Sequence, residues 1–138
     1  MAEATYIDVA NFVKLSAELP VLDVRAPNEF AKGHIPGAHS LPLFSDDERA
    51  LIGTLYKNVS RKAAMLAGLE HIGPRMREYV ESIEKITDQN KLLVHCWRGG
   101  MRSKSIAWLL GMFDYEVILL EGGYKAFRNY VFCGFEEQ

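Results

Sequence analysis

The sequence is poor in cysteine, in excess positive charge and in long apolar runs, and each shortage excludes a class of protein. Its 138 residues include two cysteines, Cys96 and Cys133, without a CxxC pair or zinc-ligand spacing, which excludes a disulfide scaffold and a cysteine-based metal site. A formal net charge of −2 argues against a dedicated nucleic-acid module, which is usually strongly basic. No apolar run approaches the roughly 20 residues of a membrane span, so we expect no contact with a membrane.

The first residues also lack the basic and apolar stretches of an export signal, so we expect a cytoplasmic protein with reduced thiols. The composition that remains is that of a globular domain, with 49% hydrophobic and 25% charged residues. A chain of this length buries a core of its own, so we assign residues 1–138 to a single domain. We expect it to need no metal ion and no cofactor.

Strand-like and helix-like segments alternate along the chain. The short apolar runs that predict strands lie around Tyr6 and at Val21–Val24, Ala38–Leu41, Leu92–His95 and Glu116–Leu120. The helix-like segments between and after them begin near Asp8, Glu29, Ser45, Ser60, Ser105 and Tyr124. This order predicts an α/β fold, with a mostly parallel sheet of about five strands flanked by helices on both faces. Functional sites in such sheets lie at the carboxyl ends of the strands.

The segment most informative about function follows the predicted strand at Leu92–His95. It is a loop of eight residues: Cys96, Trp97, Arg98, Gly99, Gly100, Met101, Arg102 and Ser103. The two glycines let the loop turn its backbone amides inward, and the helix that follows directs its positive end at the same point. A thiol in such a place is stabilised as the thiolate, which is its reactive form. We therefore predict that Cys96 is a nucleophile flanked by two fixed positive charges, Arg98 and Arg102.

Several other segments resemble the motifs of rhodanese domains. They are LDVR at 22–25 followed by Glu29-Phe30, FAKGHIPGA at 30–38 followed by Leu41, and LEGG at 120–123. The resemblance runs from about Tyr6 to Tyr130 and implies a rhodanese-like three-layer fold. The segments CWRGGMRS (96–103), LDVRAPNEF (22–30), SDDERALIGTLYK (45–57) and EGGYKAFR (121–128) resemble more narrowly the rhodanese domain of bacterial tRNA 2-selenouridine synthases.

That resemblance implies a function. Enzymes of this family exchange the sulfur of wobble 2-thiouridine for selenium from selenophosphate, and they are linked to S-geranylation of the same base. In the family a second domain with a phosphate-binding P-loop follows the rhodanese domain. No GxxxxGK[ST] motif occurs here, so we expect the chain to be the N-terminal part of a longer enzyme. Binding of tRNA is then expected only together with the second domain.

The expected reaction begins with attack of the Cys96 thiolate on a small anionic donor, thiosulfate or selenophosphate. It leaves a persulfide or selenopersulfide cradled by the amides of residues 97–102, and Arg98 holds the anionic part of the donor. Arg102 either shares that work or pairs with a carboxylate that braces the loop. Asp23 and Ser103 are expected to support the loop, and Arg25 and Glu29 to form an ion pair that orders the turn after the second strand.

Other candidate residues have structural interpretations. Trp97 either covers the loop or stacks a uridine base, and we favour the cover. His34 is expected to organise its turn, and His95 to point away from the loop into the fold. Cys133 is expected to pack or to be a spectator. The basic cluster Lys57, Arg61 and Lys62 is expected to be a solvated helix face.

Three alternative functions stay open. The chain could be a stand-alone thiosulfate sulfurtransferase, or an inactive docking module. The spacing His95-Cys96, five residues, Arg102-Ser103 also fits cysteine-dependent phosphatases and arsenate reductases, in which the arginine binds the oxyanion. A phosphatase needs a general acid near the leaving oxygen. Asp46 and Asp47 are explained as helix caps, and no other aspartate can be assigned that role from the sequence.

Overall fold

A computed structural model of the chain describes residues 4–136. Its strands are β1 (Thr5–Ile7), β2 (Val21–Asp23), β3 (His39–Ser40), β4 (Lys91–His95) and β5 (Glu116–Leu120). Its α-helices are α1 (Val9–Leu15), α2 (Pro27–Lys32), α3 (Asp46–Asn58), α4 (Arg61–Ile72), α5 (Met76–Ile86), α6 (Met101–Met112) and α7 (Gly123–Glu136), with a 3₁₀ turn at Gly73–Arg75. None of these described helices combines the length and the apolar character needed to cross a membrane.

The five strands form one parallel sheet in the order β1-β5-β4-β2-β3. Strand β4 occupies the centre, and its last residue, His95, lies opposite Asp23 of β2. Four residues of β4 are fully buried because apolar layers cover both faces of the sheet. The predicted fold class, a mostly parallel sheet of about five strands flanked by helices, is confirmed.

An apolar cluster lies on each face of the sheet, between the sheet and the helices that cover it. Leu92 and Val94 of β4 point into the larger cluster, which contains Ile83 of α5 and Ile106 and Leu110 of α6. Leu93 points to the opposite face, where it packs in a smaller cluster with Phe12 of α1 and with Tyr124 and Phe127 of α7. This alternation is the period of two expected for a strand. The sheet therefore holds the residues that follow β4 between two packed layers.

The caps expected from the sequence are present. The Asp8 carboxylate accepts a hydrogen bond from the Asn11 amide, and the Ser60 hydroxyl accepts one from the Ala63 amide. Ser45 and Glu48 form the reciprocal capping box at the start of α3.

Several boundaries differ from the predicted ones, because the ends of helices and strands carry weaker signals than their interiors, and two of them lie beside the site. The helix expected from Ser105 begins one turn earlier, at Met101, directly after the glycine pair. The last helix, expected at residues 124–132, covers Gly123–Glu136. Its earlier start places the first residue of α7 at the loop after β4.

Candidate active site

Cys96 lies in the first position after β4, at the carboxyl edge of the sheet, with an exposed fraction of 2%. Its Sγ donates a hydrogen bond to Ser103 Oγ over 3.2 Å, and that hydroxyl donates to the Gly100 carbonyl over 3.1 Å. Ser103 belongs to the first turn of α6, so its hydroxyl ties the two ends of the loop together. A rotatable hydroxyl can also donate to a sulfur anion, so the same contact suits a thiolate.

The loop needs one glycine for its backbone shape. Gly99 has a φ of +70°, which side chains rarely adopt, and a Cβ there would lie 3.3 Å from the Leu120 carbonyl oxygen. Helix α6 begins immediately after Gly100, so its unpaired amides and positive end lie at the loop that carries Cys96. This arrangement suits a negative charge on the sulfur or on a bound oxyanion.

The first turn of α7 holds the other side of the loop. The Tyr124 amide donates to the Cys96 carbonyl over 2.8 Å, and the Lys125 amide donates to the Trp97 carbonyl over 3.0 Å. The backbones approach so closely that a Cβ on Gly123, whose φ is +61°, would lie 2.6 Å from the Cys96 carbonyl oxygen. This role of Gly123 and Tyr124 was not predicted from the sequence. The available signal was a glycine pair between the last strand and the last helix.

Asp23 and Arg25 form a buried ion pair below the loop, with exposed fractions of 0% and 2%. Arg25 Nη2 donates to Asp23 Oδ2 over 2.7 Å and to the Gly33 carbonyl over 2.8 Å. The guanidinium also lies 4.0 Å from the centre of the Tyr124 ring. The predicted Arg25–Glu29 ion pair is therefore wrong. Side chains two residues apart on an extended chain point the same way, so the nearest partner of Arg25 is Asp23.

Glu29 instead connects two other arginines. Its Oε1 accepts from Arg102 Nη1 over 2.6 Å and lies 3.1 Å from Arg49 Nε, and it also accepts from the Ala26 amide over 2.9 Å. Of the two roles left open for Arg102, the structure shows the pairing with a carboxylate. Burial on its own raises the pKa of Glu29, but the hydrogen bonds and charges from Arg102, Ala26 and Arg49 outweigh it and hold that pKa below its ordinary value.

The ion pairs of Glu29 give a pH-dependent prediction. Replacing Glu29 with glutamine should lower the free energy of unfolding by about 1–2 kcal/mol at pH 7, because Arg102 loses a charged partner. A carboxylate whose pKa is lower in the folded protein stabilises the fold at pH values above its unfolded-state pKa. That stabilisation is lost as the pH falls through its folded-state pKa. Urea unfolding of both proteins from pH 7 to about pH 3.5 should show the difference shrinking.

A matched control for this prediction is Glu81→Gln. Glu81 pairs with Arg77 over 2.9 Å on the exposed face of α5, where the carboxylate is 53% exposed. Exposed pairs of this kind stabilise proteins little, so we expect almost no change in unfolding free energy. A Glu29→Gln deficit that stays constant over the whole pH range would show that the charge of Glu29 is not its cause.

His95 is fully buried and lies on the face of the sheet opposite the larger cluster, as strand alternation predicts. Its ring packs edge-on against Phe12 and is stacked 6.1 Å from the Tyr124 ring. Nδ1 lies 3.2 Å from the Cys96 carbonyl oxygen, and Nε2 lies 3.6 Å from Asp23 Oδ2. Burial lowers the pKa of His95 despite the nearby Asp23 carboxylate, which favours the neutral form of the ring.

The outer part of the loop faces solvent. Arg98 and Met101 are exposed, whereas Trp97 is half-buried, with its ring 6.1 Å from that of Tyr124. The guanidinium of Arg128, on α7, lies 5.2 Å from the centre of the Trp97 ring. Trp97 therefore forms one wall of the loop of residues 96–103, which is called the thiol loop below.

The remaining candidates lie away from the thiol. The His34 ring stacks on Phe30 at 3.8 Å, and its Nδ1 lies 2.9 Å from the Phe30 carbonyl oxygen, which organises the turn. Cys133 is exposed, so of the two expectations for it the structure excludes packing and leaves the spectator. Lys57, Arg61 and Lys62 are exposed, as expected for a solvated face. Within residues 4–136 no group of three His, Cys, Asp or Glu side chains converges as a metal site.

Comparisons with known proteins agree with this geometry. The profile of the rhodanese-like domain family matches residues 8–130. The tRNA 2-selenouridine synthase of Bdellovibrio bacteriovorus is 43% identical over 122 residues, which cover 86% of this chain and 32% of that protein. The tRNA 2-selenouridine synthase of Hydrogenovibrio crunogenus is 39% identical over 118 residues, with 82% and 32% covered. The chain thus spans about a third of the length of these curated relatives.

Solved structures extend the likeness to the fold. A domain from Clostridium difficile 630, named as the N-terminal domain of an ATP/GTP-binding protein, superposes with a TM-score of 0.84 at 34% identity, covering 92% of this chain and 98% of that one. A rhodanese-related protein from Thermoplasma volcanium superposes with a TM-score of 0.56 at 20% identity, covering 91% and 92%. With its thiol loop after the central strand, the chain belongs to the rhodanese-like domain family, and within it resembles part of the tRNA 2-selenouridine synthases.

Proposed function

We propose that this domain carries sulfur or selenium on Cys96 and serves the conversion of wobble 2-thiouridine to 2-selenouridine in tRNA. The observation that supports this best is the Cys96 thiol itself, buried after the central strand and hydrogen-bonded to Ser103 at the start of α6. The choice of tRNA and selenium in this proposal is based on the names of the relatives. The proposed setting is the reducing cytoplasm, where free cysteines persist.

The proposed loading step is a displacement on the donor. With thiosulfate, the Cys96 thiolate attacks the outer sulfur, an S–S bond forms to the enzyme, and sulfite leaves with the electron pair of the old S–S bond. With selenophosphate, the same attack on selenium forms an S–Se bond. The PO3 group keeps the electron pair of the Se–P bond and leaves as phosphite. An acceptor nucleophile then takes the terminal chalcogen atom and releases the thiolate.

The loop and its neighbours would stabilise the charges of this step. Preorganised backbone amides facing a developing anion are worth about 2.7–4 kcal/mol each in known enzymes. The amides of residues 97–102 and the start of α6 would supply this stabilisation. Exposed Arg98 would hold the anionic end of the donor, and Arg102, fixed by Glu29, would keep positive charge near the loop.

The proposed context is a longer enzyme. The chain covers about a third of its curated relatives, and their names describe an activity on tRNA. We therefore propose that the chain is the N-terminal part of such an enzyme, and that tRNA is bound together with the rest of it. A stand-alone thiosulfate sulfurtransferase and a docking module are the simpler alternatives, and neither needs the second domain.

A phosphatase is a second candidate. Five residues separate Cys96 from Arg102, which is the spacing of oxyanion-binding loops, and the Ser103 hydroxyl contacts the Cys96 sulfur. Two contacts disfavour it. Arg102 is bound to Glu29, and Asp46, which begins α3, accepts a hydrogen bond from the Asn28 amide. A phosphatase would need Arg102 turned toward the substrate and a general acid beside the leaving oxygen.

The experiment that tests the proposal compares donors by their released products. Purified protein is incubated with thiosulfate or selenophosphate, and sulfite, phosphite and phosphate are measured over time, with an aryl phosphate as a third substrate. We expect sulfite or phosphite in an amount equal to the protein, with faster loading from selenophosphate. Faster loading from thiosulfate would favour the stand-alone sulfurtransferase. Cys96-dependent hydrolysis of the aryl phosphate without loading would replace the proposal by the phosphatase.

A further inference from the structure

A cleft with a volume of about 290 Å³ opens beside the loop that carries Cys96. Its walls include four basic side chains, Arg25, Lys32, Arg49 and Arg128, and two aromatic rings, Trp97 and Tyr124. The volume is close to the lower end of the range of small-molecule sites, about 300 Å³. The cleft is therefore of a size for an organic ligand, and Trp97, which follows Cys96 directly, connects it to the thiol loop.

The charges on the cleft select an anion. Glu29 is the one carboxylate among the described residues that line it, and Glu29 is already bound to Arg102 and Arg49. The positive charge of Arg25 is balanced by its ion pair with Asp23. Lys32 and Arg128 are exposed, and the described residues offer neither of them a salt bridge. The chain as a whole has a net charge of −2, so this positive concentration is local.

The aromatic wall adds a second preference. The Arg128 guanidinium lies over the Trp97 ring, at 5.2 Å from its centre, where a flat cation occupies the place of a stacked ring. A planar nucleobase can take the same place, because every nucleobase has a flat face that stacks on aromatic side chains. Arg128 would then be released toward the negatively charged part of the ligand. A flat ring and an anionic group together describe a nucleotide.

We propose that this cleft binds a nucleotide, with its phosphate between Lys32 and Arg128 and its base against Trp97. The site would present a nucleotide acceptor to the chalcogen on Cys96, and in that respect the inference rests on the proposed function. Binding itself does not depend on it, because the residues that line the cleft do not include Cys96. The donor cradle and the nucleotide cleft are thus separate parts of one site.

Tryptophan fluorescence tests the proposal. The chain has two tryptophans, and Trp108 is 59% exposed on α6, so Trp108→Phe leaves Trp97 as the reporter. In that background we expect saturable quenching by uridine 5′-monophosphate, with at least tenfold weaker binding of uridine and of inorganic phosphate. Trp97→Phe with Trp108 retained should lose the signal. Lys32→Ala with Arg128→Ala should weaken nucleotide binding at least tenfold and reduce its salt dependence.

The matched control is Lys57→Ala with Lys85→Ala, which removes two exposed cations that do not line the cleft and should leave binding unchanged. No saturable quenching, or equal loss in the control, would overturn the inference. Equally tight binding of inorganic phosphate would overturn the nucleotide assignment. Thiosulfate loading separates the two proposals: the Lys32→Ala, Arg128→Ala protein should still load, whereas nucleotide binding without any loading would contradict the proposed function alone.

Discussion

Replacement of Cys96 by serine is expected to abolish loading of sulfur or selenium while leaving the fold intact. A serine hydroxyl has far too high a pKa to be an anion at neutral pH, and it lacks the polarisable sulfur that attacks a chalcogen donor. The side chain is buried, but Ser103 Oγ lies beside it as a hydrogen-bond partner for the new hydroxyl. We therefore expect the free energy of unfolding to change by only about 1 kcal/mol.

The measurement pairs sulfite release from thiosulfate with urea unfolding, on wild-type protein and on both cysteine variants. Cys133→Ser is the matched control because Cys133 is the second free thiol and is exposed on α7. It should load like the wild type. Normal loading by Cys96→Ser, or loss of loading by Cys133→Ser, would contradict the assignment of the nucleophile to Cys96.

Gly123→Ala is expected to have the largest effect on stability. The added Cβ would lie 2.6 Å from Cys96 O, Trp97 C and Trp97 O, all backbone atoms that cannot turn aside. The left-handed φ of +61° costs about 1–2 kcal/mol more. Relief requires α7 to move away from the loop, which breaks the amide contacts of Tyr124 and Lys125. We expect a loss of about 3 kcal/mol or more in unfolding free energy, together with a severe loss of loading.

Gly37→Ala isolates the two causes. Gly37 also has a left-handed φ, +82°, but a Cβ there meets no atom within 4 Å. It should lose only about 1–2 kcal/mol and should load normally. Equal losses of stability and loading in the two variants would mean that the contact between α7 and the thiol loop does not shape the site.

The sheet could be predicted from the sequence because each of its central strands is buried on both faces. Such a strand reads as a continuous apolar run, and the runs at Leu92–His95 and Glu116–Leu120 correspond to β4 and β5. The place of Cys96 followed directly, since it is the next residue after such a run. Helix starts were recovered where a side chain caps them, as at Ser45 and Ser60, and misplaced where a glycine precedes the helix, as at Met101.

The partners of the charged residues could not be predicted in the same way. Glu29 and Arg102 are 73 residues apart, and only the packing of α2 against the loop brings them together. Arg25 is the arginine nearest to Glu29 along the sequence, but in the folded protein Arg25 forms a buried ion pair with Asp23. The anchoring of the loop by α7 was missed for a related reason, because its hydrogen bonds join backbone atoms, and the glycine pair before α7 is the feature of the sequence that marks the close approach.

Intact mass after brief exposure to thiosulfate, and separately to selenophosphate, tests the central claim most directly. The protein is measured as the wild type and as Cys96→Ser, before and after treatment with a thiol reductant. We expect the wild type to gain the mass of one sulfur or one selenium atom, reversibly, and Cys96→Ser to gain nothing. An unchanged wild-type mass with both donors, or the same gain in Cys96→Ser, would contradict chalcogen transfer through Cys96.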